Sequence, residues 1–247
     1  MTRLSILLFL MLCCSDLFAA PPEQAKIAAA FQESFPKLAV DQVTETPVAG
    51  LYEILCGDRI FYYAPASGHL LVGPLVSREG ENVTAVRIQE VMAQRIKGIS
   101  LKEALTIGNG PHQVVEVTDP DCGYCRKGAR FFDERSDVTR HIFLKPLGMH
   151  PQSRDKAAYI LSASDPKAAY LEVFAGKFDD KPLPSFQDNG RLDRQANAIA
   201  PLKVASTPSY WIDGTYVGGS DLRRIQQLLA PPQPELKPAP SAPAPQK

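Results

Sequence analysis

Hydrophobic and polar positions repeat with two different periods in the first third of the chain. Between residues 23 and 35, Ile27, Phe31 and Phe35 recur at helical spacing, and Pro36 ends the predicted helix. Short apolar runs separated by turn residues follow, and they predict strands. The predicted strands cover residues 48–55, 59–63 and 69–72. A helix followed by a strand meander predicts a small α+β domain over residues 21–85.

The pattern changes after residue 85. Residues 86–105 carry a helical stripe that ends before a Gly-Asn-Gly-Pro break, so residues 86–108 are predicted to form a linker helix. The elements predicted beyond it are a strand at 112–118, a helix at 126–135, a strand at 139–144, helices within 153–201, a hairpin at 210–217 and a helix at 221–229. This order predicts an α/β domain with a helical insertion over residues 109–230.

Both ends of the chain have a distinctive composition. Residues 1–20 begin with a positive charge at Arg3, continue through an apolar run and finish in small residues, which is typical of a signal peptide. The run is too short to cross a bilayer, and we expect a soluble exported protein. Residues 231–247 are rich in Pro and Ala without an apolar period, which predicts a disordered or extended tail.

The composition limits the possible core size, partners and cysteine pairings. The 247 residues include 27 basic and 27 acidic side chains and are 45% hydrophobic, which is enough for one or two ordinary cores and gives no sign of a nucleic-acid partner. Removing residues 1–20 leaves three of the five cysteines, namely Cys56, Cys122 and Cys125. An odd count in an exported chain implies one thiol outside any intramolecular pair.

The segment DPDCGYCRKG holds the candidate chemistry. If Cys122 lies at the first turn of a helix that follows the strand HQVVEVT, unpaired N–H groups and the helix dipole favour its thiolate. Cys125 lies one turn further along and deeper, where it can close a disulfide with Cys122. This asymmetry predicts Cys122 as the attacking nucleophile and Cys125 as the resolving thiol of a thiol–disulfide exchanger.

Charged residues surround the pair. Asp119 and Asp121 oppose a thiolate at Cys122, whereas Arg126 and Lys127 support it. Glu116 is unexpected within its β-branched strand, and on the Cys125 side of the sheet its carboxylate would be a candidate proton relay. The alternative is a glutamate of an edge strand that faces solvent.

Two other interpretations of the cysteine pair, a zinc site and a structural disulfide, have less support from the sequence. A zinc site would need two more ligands, but there is no second C-x-x-C, and His141 and His150 are only the nearest histidines after the motif. A purely structural disulfide over three residues would close a very small loop and would constrain the unfolded chain little. We therefore expect a redox pair with no metal and no cofactor.

Thr207-Pro208 supports a redox site from a distant part of the sequence. A proline that opens a strand can hold a cis bond and can present the preceding backbone to an extended peptide. Alone the dipeptide is a weak signal, because most X-Pro bonds are trans. Together with a C-x-x-C helix it becomes informative.

The chain resembles the thioredoxin fold and, more closely, the DsbC/DsbG family of periplasmic disulfide isomerases. The resemblance rests on VTDPDCGYCRK, on STPSYWIDGTYVGG and on GLYEILCGDRIFYYAPASGHLLVGPL. It implies a thioredoxin-like catalytic domain preceded by a linker helix and by a small cystatin-like dimerisation domain. It also implies a periplasmic homodimer that acts on misoxidised exported proteins and is kept reduced by a DsbD-like membrane thiol reductase.

Site residues follow from the same resemblance. It implies Cys122 and Cys125 as the catalytic pair. Substrate contacts are implied for Gly123 and Tyr124, and for Thr207 with Pro208 in a cis-proline loop. The functions to be compared are disulfide isomerase and reductase, thiol oxidase or sulfenic-acid reductase with the same pair, and a dimeric holdase chaperone.

The chain departs from the family pattern at several positions. Ser162 and Ser185 stand about where relatives often carry a second disulfide, so packing must stabilise the insertion instead. Cys56 lies in the dimerisation region, where it could link two subunits or be a buried spectator. The Pro-rich tail is an addition without an implied role.

Overall fold

The computed structural model describes residues 22–230. The predicted signal peptide and Pro-rich tail lie outside these residues. The described chain divides into two compact units, one formed by residues up to 56 together with 60–72, and the other by residues 57–59 together with 73 onwards. None of the helices between residues 22 and 230 is long and apolar enough to cross a membrane.

The first unit combines one helix with a four-stranded sheet. Its elements are α1 (Pro22–Ser34), β1 (Gln42–Glu45), β2 (Tyr52–Cys56), β3 (Arg59–Ala64) and β4 (His69–Leu71). The strands are ordered β1-β2-β3-β4, and the pairs β1–β2 and β3–β4 are antiparallel. The small α+β fold is therefore confirmed. The sequence did not predict β1, because only Val43 of its four residues is buried.

Aromatic side chains form the core of the first unit. Phe31 of α1 is fully buried, and its ring lies 5.1 Å from Phe35 and 5.4 Å from Tyr63 between centroids. Cys56 belongs to the same core and is 8% exposed. This packing fits the buried spectator, and a link between two subunits through Cys56 stays a prediction.

The second unit is built on a five-stranded sheet. Its strands and the helices beside them are α2 (Val83–Ile96), β5 (Leu105–Gly108), β6 (His112–Thr118), α3 (Gly123–Asp133), β7 (Val138–Leu144), β8 (Ser209–Ile212), β9 (Thr215–Gly218) and α7 (Leu222–Leu228). The strand order is β5-β7-β6-β8-β9, with β6 parallel to β7 and every other pair antiparallel. The insertion between β7 and β8 holds α4 (Ser153–Ser162), α5 (Pro166–Phe174), α6 (Arg191–Ile199) and a 3-10 turn (Ala200–Leu202). These features confirm the thioredoxin-like α/β fold with a helical insertion.

Strand β6 occupies the centre of this sheet, and both of its faces are buried. Val115 and Val117 pack with Trp211 on one face, and Val114 packs with Phe132 of α3 on the other. A strand covered on both faces reads as a nearly continuous apolar run, as HQVVEVT does. The cysteine motif follows β6 directly, so it lies at the carboxyl end of the central strand.

Helix α2 and strand β5 differ from the predicted linker. The side chain of Asn82 caps α2 by accepting a hydrogen bond from Ala85 N at 2.9 Å, and the helix ends at Ile96, shortly before Gly98. Met92 of α2 is fully buried, and its carbonyl oxygen accepts a 3.1 Å hydrogen bond from the indole nitrogen of Trp211. Strand β5, which was not predicted, pairs with β7. The structure thus groups both elements with the second unit, and the boundaries at residues 85 and 108 stay predictions.

A hydrogen bond and aromatic packing stabilise the insertion, where relatives often carry a second disulfide. The hydroxyl oxygen of Ser162 accepts a hydrogen bond from Asn189 N at 3.2 Å. The ring of Tyr159 packs edge-on against Phe178 and Phe186, each with a centroid distance of 5.6 Å. Packing of this kind takes the place of a covalent link.

Candidate active site

Cys122 lies at the junction between the central strand and α3. It occupies the N-cap position of α3 in an extended conformation, and its side chain makes no capping hydrogen bond. The sulfur therefore stands at a helix end whose first N–H groups lack intrahelical partners, an environment that stabilises a thiolate. The apolar pattern placed the helix at residues 126–135, whereas it begins at Gly123.

The Thr207-Pro208 loop lies beside Cys122. The Thr207–Pro208 peptide bond is cis. The Cys122 thiol donates to the carbonyl oxygen of Thr207 at 3.5 Å, which brings together two segments 85 residues apart. Cys122 is 8% exposed, and Pro208 is buried at the start of β8. The sequence-predicted pair and loop therefore form one site.

Cys125 lies one turn along α3 and is fully buried. The backbone N–H of Asp119 donates to its sulfur at 3.4 Å. Burial raises the pKa of the Cys125 thiol far above its usual range, while the hydroxyls of Thr118 and Thr207 and the Asp119 N–H lower this pKa by a smaller amount. Cys125 is thus an inner thiol that holds its proton at neutral pH until a base removes it.

Gly123 and Tyr124 form the exposed surface between the two cysteines. Tyr124 is 63% exposed, and the ammonium of Lys127 lies 5.5 Å from the centroid of its ring. No heavy atom lies within 4 Å of the position that a Cβ on Gly123 would occupy. A substrate chain can therefore approach the site across these residues.

Asp119 is engaged away from the cysteine sulfurs. Its buried carboxylate accepts hydrogen bonds from Asp121 N at 2.8 Å and from the Ser153 hydroxyl at 2.6 Å through one oxygen. Through the other oxygen it accepts from Leu147 N at 2.7 Å and from His150 Nδ1 at 3.0 Å. Asp119 therefore ties the loop after β6 to the loop after β7 and to the start of α4.

Asp121 belongs to a network of alternating charges, which comprises Asp121, Arg126, Lys156 and Asp179. Lys156, 2% exposed, lies 2.6 Å from Asp121 Oδ1 and 2.9 Å from Asp179 Oδ1. Arg126 contacts both carboxylates and donates to the carbonyl of Pro120 at 2.7 Å. Hydrogen bonding to Arg126 lowers the pKa of Asp179 well below its usual range, although burial opposes the shift and Lys156 adds to it.

This network changes the electrostatic prediction for Cys122. The negative charge of Asp121, expected to oppose a thiolate, is compensated by two cations, and one of them is the buried Lys156. No local pattern near the cysteine motif indicates Lys156 or Asp179, because both come from the insertion. Only tertiary folding brings them to the cysteine loop.

Glu116 is buried in the core beneath α3. It is fully buried, so the solvent-exposed alternative is wrong. Its Oε2 accepts from Arg140 Nη2 at 2.8 Å and from Arg140 Nε at 3.1 Å, whereas its Oε1 has no hydrogen-bond partner. Arg140 also donates to the hydroxyl of Tyr170 at 2.7 Å. The sequence did not reveal Arg140, because a single arginine in a strand normally indicates an exposed position.

The hydroxyl of Tyr210 links Glu116 electrostatically to Cys125. Tyr210 is the cross-strand neighbour of Glu116 on β8. Burial raises the pKa of Tyr210 well above its usual range, and the charges of Glu116 and Cys125 add to this increase. Its hydroxyl oxygen has no hydrogen-bond partner. Glu116, Tyr210 and Cys125 therefore share one buried region.

The two histidines weighed as zinc ligands have other contacts. His150 bonds to Asp119, and His141 Nε2 lies 2.9 Å from the side-chain oxygen of Gln113. Within residues 22–230, no group of three or more His, Cys, Asp or Glu side chains is arranged to hold a metal ion.

Comparisons with known proteins agree with this geometry. The family described as disulfide bond isomerase protein N-terminal domain matches residues 18–85. A Bordetella avium protein named probable thiol:disulfide interchange protein DsbC is 28% identical over 193 residues, covering 76% of this chain and 68% of that protein. The chain is a relative of the DsbC proteins. The Escherichia coli K12 DsbC is 24% identical over 203 residues, covering 77% of this chain and 82% of that protein.

The DsbC relatives match well beyond the N-terminal family segment, since more than three quarters of the chain is covered. A crystal structure of a disulfide interchange protein from Neisseria gonorrhoeae is 25% identical, with a TM-score of 0.45, and covers 52% of this chain and 96% of that chain. The fold assignment itself rests on the strand order of the second unit and not on this likeness.

Proposed function

We propose that the protein is a thiol–disulfide isomerase and reductase that rearranges non-native disulfides in exported proteins. The observation that carries this proposal is the position of Cys122 at the N-terminus of α3, with its sulfur 3.5 Å from the Thr207 carbonyl oxygen. Cys125, one turn on and buried, supplies the second thiol of an asymmetric pair. Proteins similar to this chain are named thiol:disulfide interchange proteins.

The chemistry begins at Cys122. Its thiolate attacks one sulfur of a substrate disulfide, a new Cys122–substrate disulfide forms, and the other substrate sulfur leaves as a thiolate. In isomerisation, a substrate thiolate then attacks this mixed disulfide and releases Cys122 unchanged. In reduction, Cys125 attacks Cys122 instead, so the enzyme becomes oxidised and the substrate gains two electrons.

Glu116 is our candidate for accepting the proton that Cys125 loses. Its Oε1 is buried without a hydrogen-bond partner and is thus an available acceptor, while Arg140 holds the other oxygen in place. Tyr210, which both Glu116 and Cys125 influence, lies in the same region. If Glu116→Gln leaves the pH dependence of Cys125 reactivity unchanged, the relay is ruled out.

The substrate surface is proposed to combine the Thr207-Pro208 loop with Gly123 and Tyr124. The carbonyl of Thr207 faces the cysteine pair, where an extended substrate strand can pair with the loop backbone. Nearby, a cavity of about 510 Å³ is lined by apolar side chains that include Leu147 and Val204 and by charged side chains that include Arg154. Exposed Met149 lies in the same loop as Leu147. Apolar surface of this kind suits unfolded chains.

Assembly, location and recycling follow the resemblance to the DsbC proteins. We propose a periplasmic homodimer that pairs through residues 21–85, the region that matches the N-terminal domain family. A DsbD-like membrane thiol reductase is proposed to keep the cysteine pair reduced, because an isomerase must begin with a free thiolate at Cys122.

Three other functions are to be distinguished from this proposal. A thiol oxidase or a sulfenic-acid reductase would use the same two sulfurs, and the resting redox state of the pair in cells separates an oxidase from an isomerase. A holdase would use only the apolar surface and would not need Cys122.

The decisive experiment compares single cysteine variants in the reactivation of a scrambled multi-disulfide protein. Cys122→Ala is expected to lower isomerase activity at least a hundredfold, because no nucleophile remains. Cys56→Ala is the matched control and should retain activity. Suppression of aggregation by Cys122→Ala should match that of the unmodified chain. Full isomerase activity without Cys122 would overturn the proposal.

A further inference from the structure

Hydrogen-bond donors lie around the Cys125 sulfur, although a buried protonated thiol is only a weak acceptor. The Asp119 N–H points at the sulfur from 3.4 Å. The hydroxyl oxygens of Thr118 and Thr207 are buried and have no well-aligned hydrogen-bond partner. Both hydroxyls nevertheless act on the sulfur, since they lower the pKa of the Cys125 thiol against the larger opposing effect of burial.

The positions of Thr118 and Thr207 in the fold also bring them to the cysteine pair. Thr118 is the last residue of β6, is fully buried and pairs with Leu144 of β7. Leu144 and Cys125 belong to the same core cluster, and Thr207 accepts a hydrogen bond from the neighbouring Cys122. Thr118 precedes Asp119, whose N–H lies 3.4 Å from the Cys125 sulfur, and the Thr207 carbonyl oxygen lies 3.5 Å from the Cys122 sulfur. The two threonines therefore reach the cysteine pair from the end of β6 and from the loop before β8.

Unpartnered hydroxyls in a core need an explanation. Leaving a buried hydroxyl without a partner is unfavourable, and a protonated thiol is only a weak acceptor. A thiolate accepts hydrogen bonds strongly, and a hydroxyl rotates freely about its C–O bond to meet it. The two hydroxyls would thus be satisfied fully only when Cys125 carries a negative charge.

We propose that the Thr118 hydroxyl, with the Thr207 hydroxyl and the Asp119 N–H, forms a thiolate-binding cradle that stabilises Cys125 as it resolves mixed disulfides. This inference rests on the proposed exchange function and names a further catalytic residue for it. Donors fixed before the reaction around a developing charge lower the barrier without reorganisation at the moment of reaction.

The step that the cradle assists is balanced in atoms and electrons. Cys125 first loses its proton to a base. Its thiolate attacks the Cys122 sulfur of the mixed disulfide, the Cys122–substrate bond breaks, and the Cys122–Cys125 disulfide forms. The substrate sulfur leaves as a thiolate with two electrons and takes a proton from solvent.

Charged and titratable groups around Cys125 come from three elements. Cys122 at the start of α3 opposes a charge on Cys125. Tyr210 of β8 and Glu116 of β6 lie in the same buried region, with Glu116 held by Arg140. Thr118 differs from all of these because its hydroxyl is uncharged, so it can be removed without changing the charge of the site.

The test uses an aromatic disulfide that releases a coloured thiolate, dithiobis-nitrobenzoate, with the full protein. The first release of coloured thiolate reports attack by Cys122, and the second reports resolution by Cys125. Thr118→Val keeps the shape and removes the hydroxyl. An increase of about one pKa unit at Cys125 would cut its thiolate fraction about tenfold and raise its nucleophilicity about threefold, so the second phase should slow about threefold at neutral pH.

Controls separate chemistry from folding. Thr118→Ser should restore the second phase because it keeps the hydroxyl. Thr44→Val, which removes another buried hydroxyl without a partner, should leave both phases unchanged. If Thr118→Val does not fold, Thr118→Ala carries the same expectation. An unchanged second phase in a folded variant overturns the cradle, whereas a missing first phase in the unmodified chain overturns the exchange function itself.

Discussion

The two active-site sulfurs differ chiefly in burial, although both cysteines are largely covered. Cys122 is 8% exposed at the helix end, and Cys125 has no exposed surface. Desolvation disfavours a charge on Cys125 and raises its pKa, while the helix end offers unpaired N–H groups to Cys122. The division of labour between nucleophile and resolving thiol therefore arises from position, since the two side chains are chemically identical.

A close contact between α3 and β8 gives a prediction about single side chains. A Cβ added at Gly128 would lie 1.9 Å from the Tyr210 hydroxyl oxygen. Gly128→Ala should therefore lower the free energy of unfolding by about 1–3 kcal/mol through overpacking, despite a gain of about 1 kcal/mol in helix propensity. Tyr210→Phe alone should leave stability unchanged or raise it by about 1 kcal/mol, because the hydroxyl has no partner.

The double variant completes this thermodynamic cycle. In the Tyr210→Phe background, Gly128→Ala should cost less, although the ring carbon Cζ would remain only 3.1 Å from the new Cβ. Urea denaturation of all four proteins measures the coupling. Equal costs of Gly128→Ala in both backgrounds would mean that the hydroxyl does not limit the space at this helix face.

At the level of secondary structure, the sequence was informative where a single segment carries its own signal. β6 was predicted at residues 112–118 and is observed at those bounds, and the hairpin of β8 and β9 was found from its Asp-Gly turn. β5 was missed because its four residues have no long apolar run. Arg140 and Lys156 were missed as well, since their burial depends on partners from other elements.

The charge network beside Cys122 predicts a pH dependence of stability. The folded-state pKa of Asp179 is lowered, mainly by its hydrogen bond to Arg126. Its ion pairs therefore add stability above the unfolded pKa of about 3.9, and this stability is lost progressively as pH falls below that value. Asp179→Asn should reduce the free energy of unfolding at pH 7 by about 1 kcal/mol, a modest amount because the carboxylate is partly exposed.

The comparison across pH distinguishes charge from shape. The difference between Asp179→Asn and the unmodified chain should shrink when urea denaturation is repeated below pH 4. Asp193→Asn is the matched control, because Asp193 pairs with Arg154 where both side chains are about two thirds exposed, and it should change stability little at any pH. A difference for Asp179→Asn that does not vary with pH would contradict the electrostatic explanation.

For the whole molecule, the two compact units divide the proposed work. The second unit contains every candidate catalytic residue, from Glu116 to Pro208. The first unit has a sheet of its own and matches the N-terminal domain family, but it contributes none of these residues. The proposed pairing of subunits through residues 21–85 rests on the match of residues 18–85 to this family.

Dilution of the protein tests this proposal without altering its sequence. If a dimer is needed to hold a misfolded substrate between two active sites, isomerase activity per chain should fall at concentrations where sedimentation shows monomers. The rate at which Cys122 reacts with a small aromatic disulfide should stay constant over the same range, because the nucleophile is built within one unit. A monomer with undiminished isomerase activity would separate the first unit from catalysis and would leave its pairing role without support.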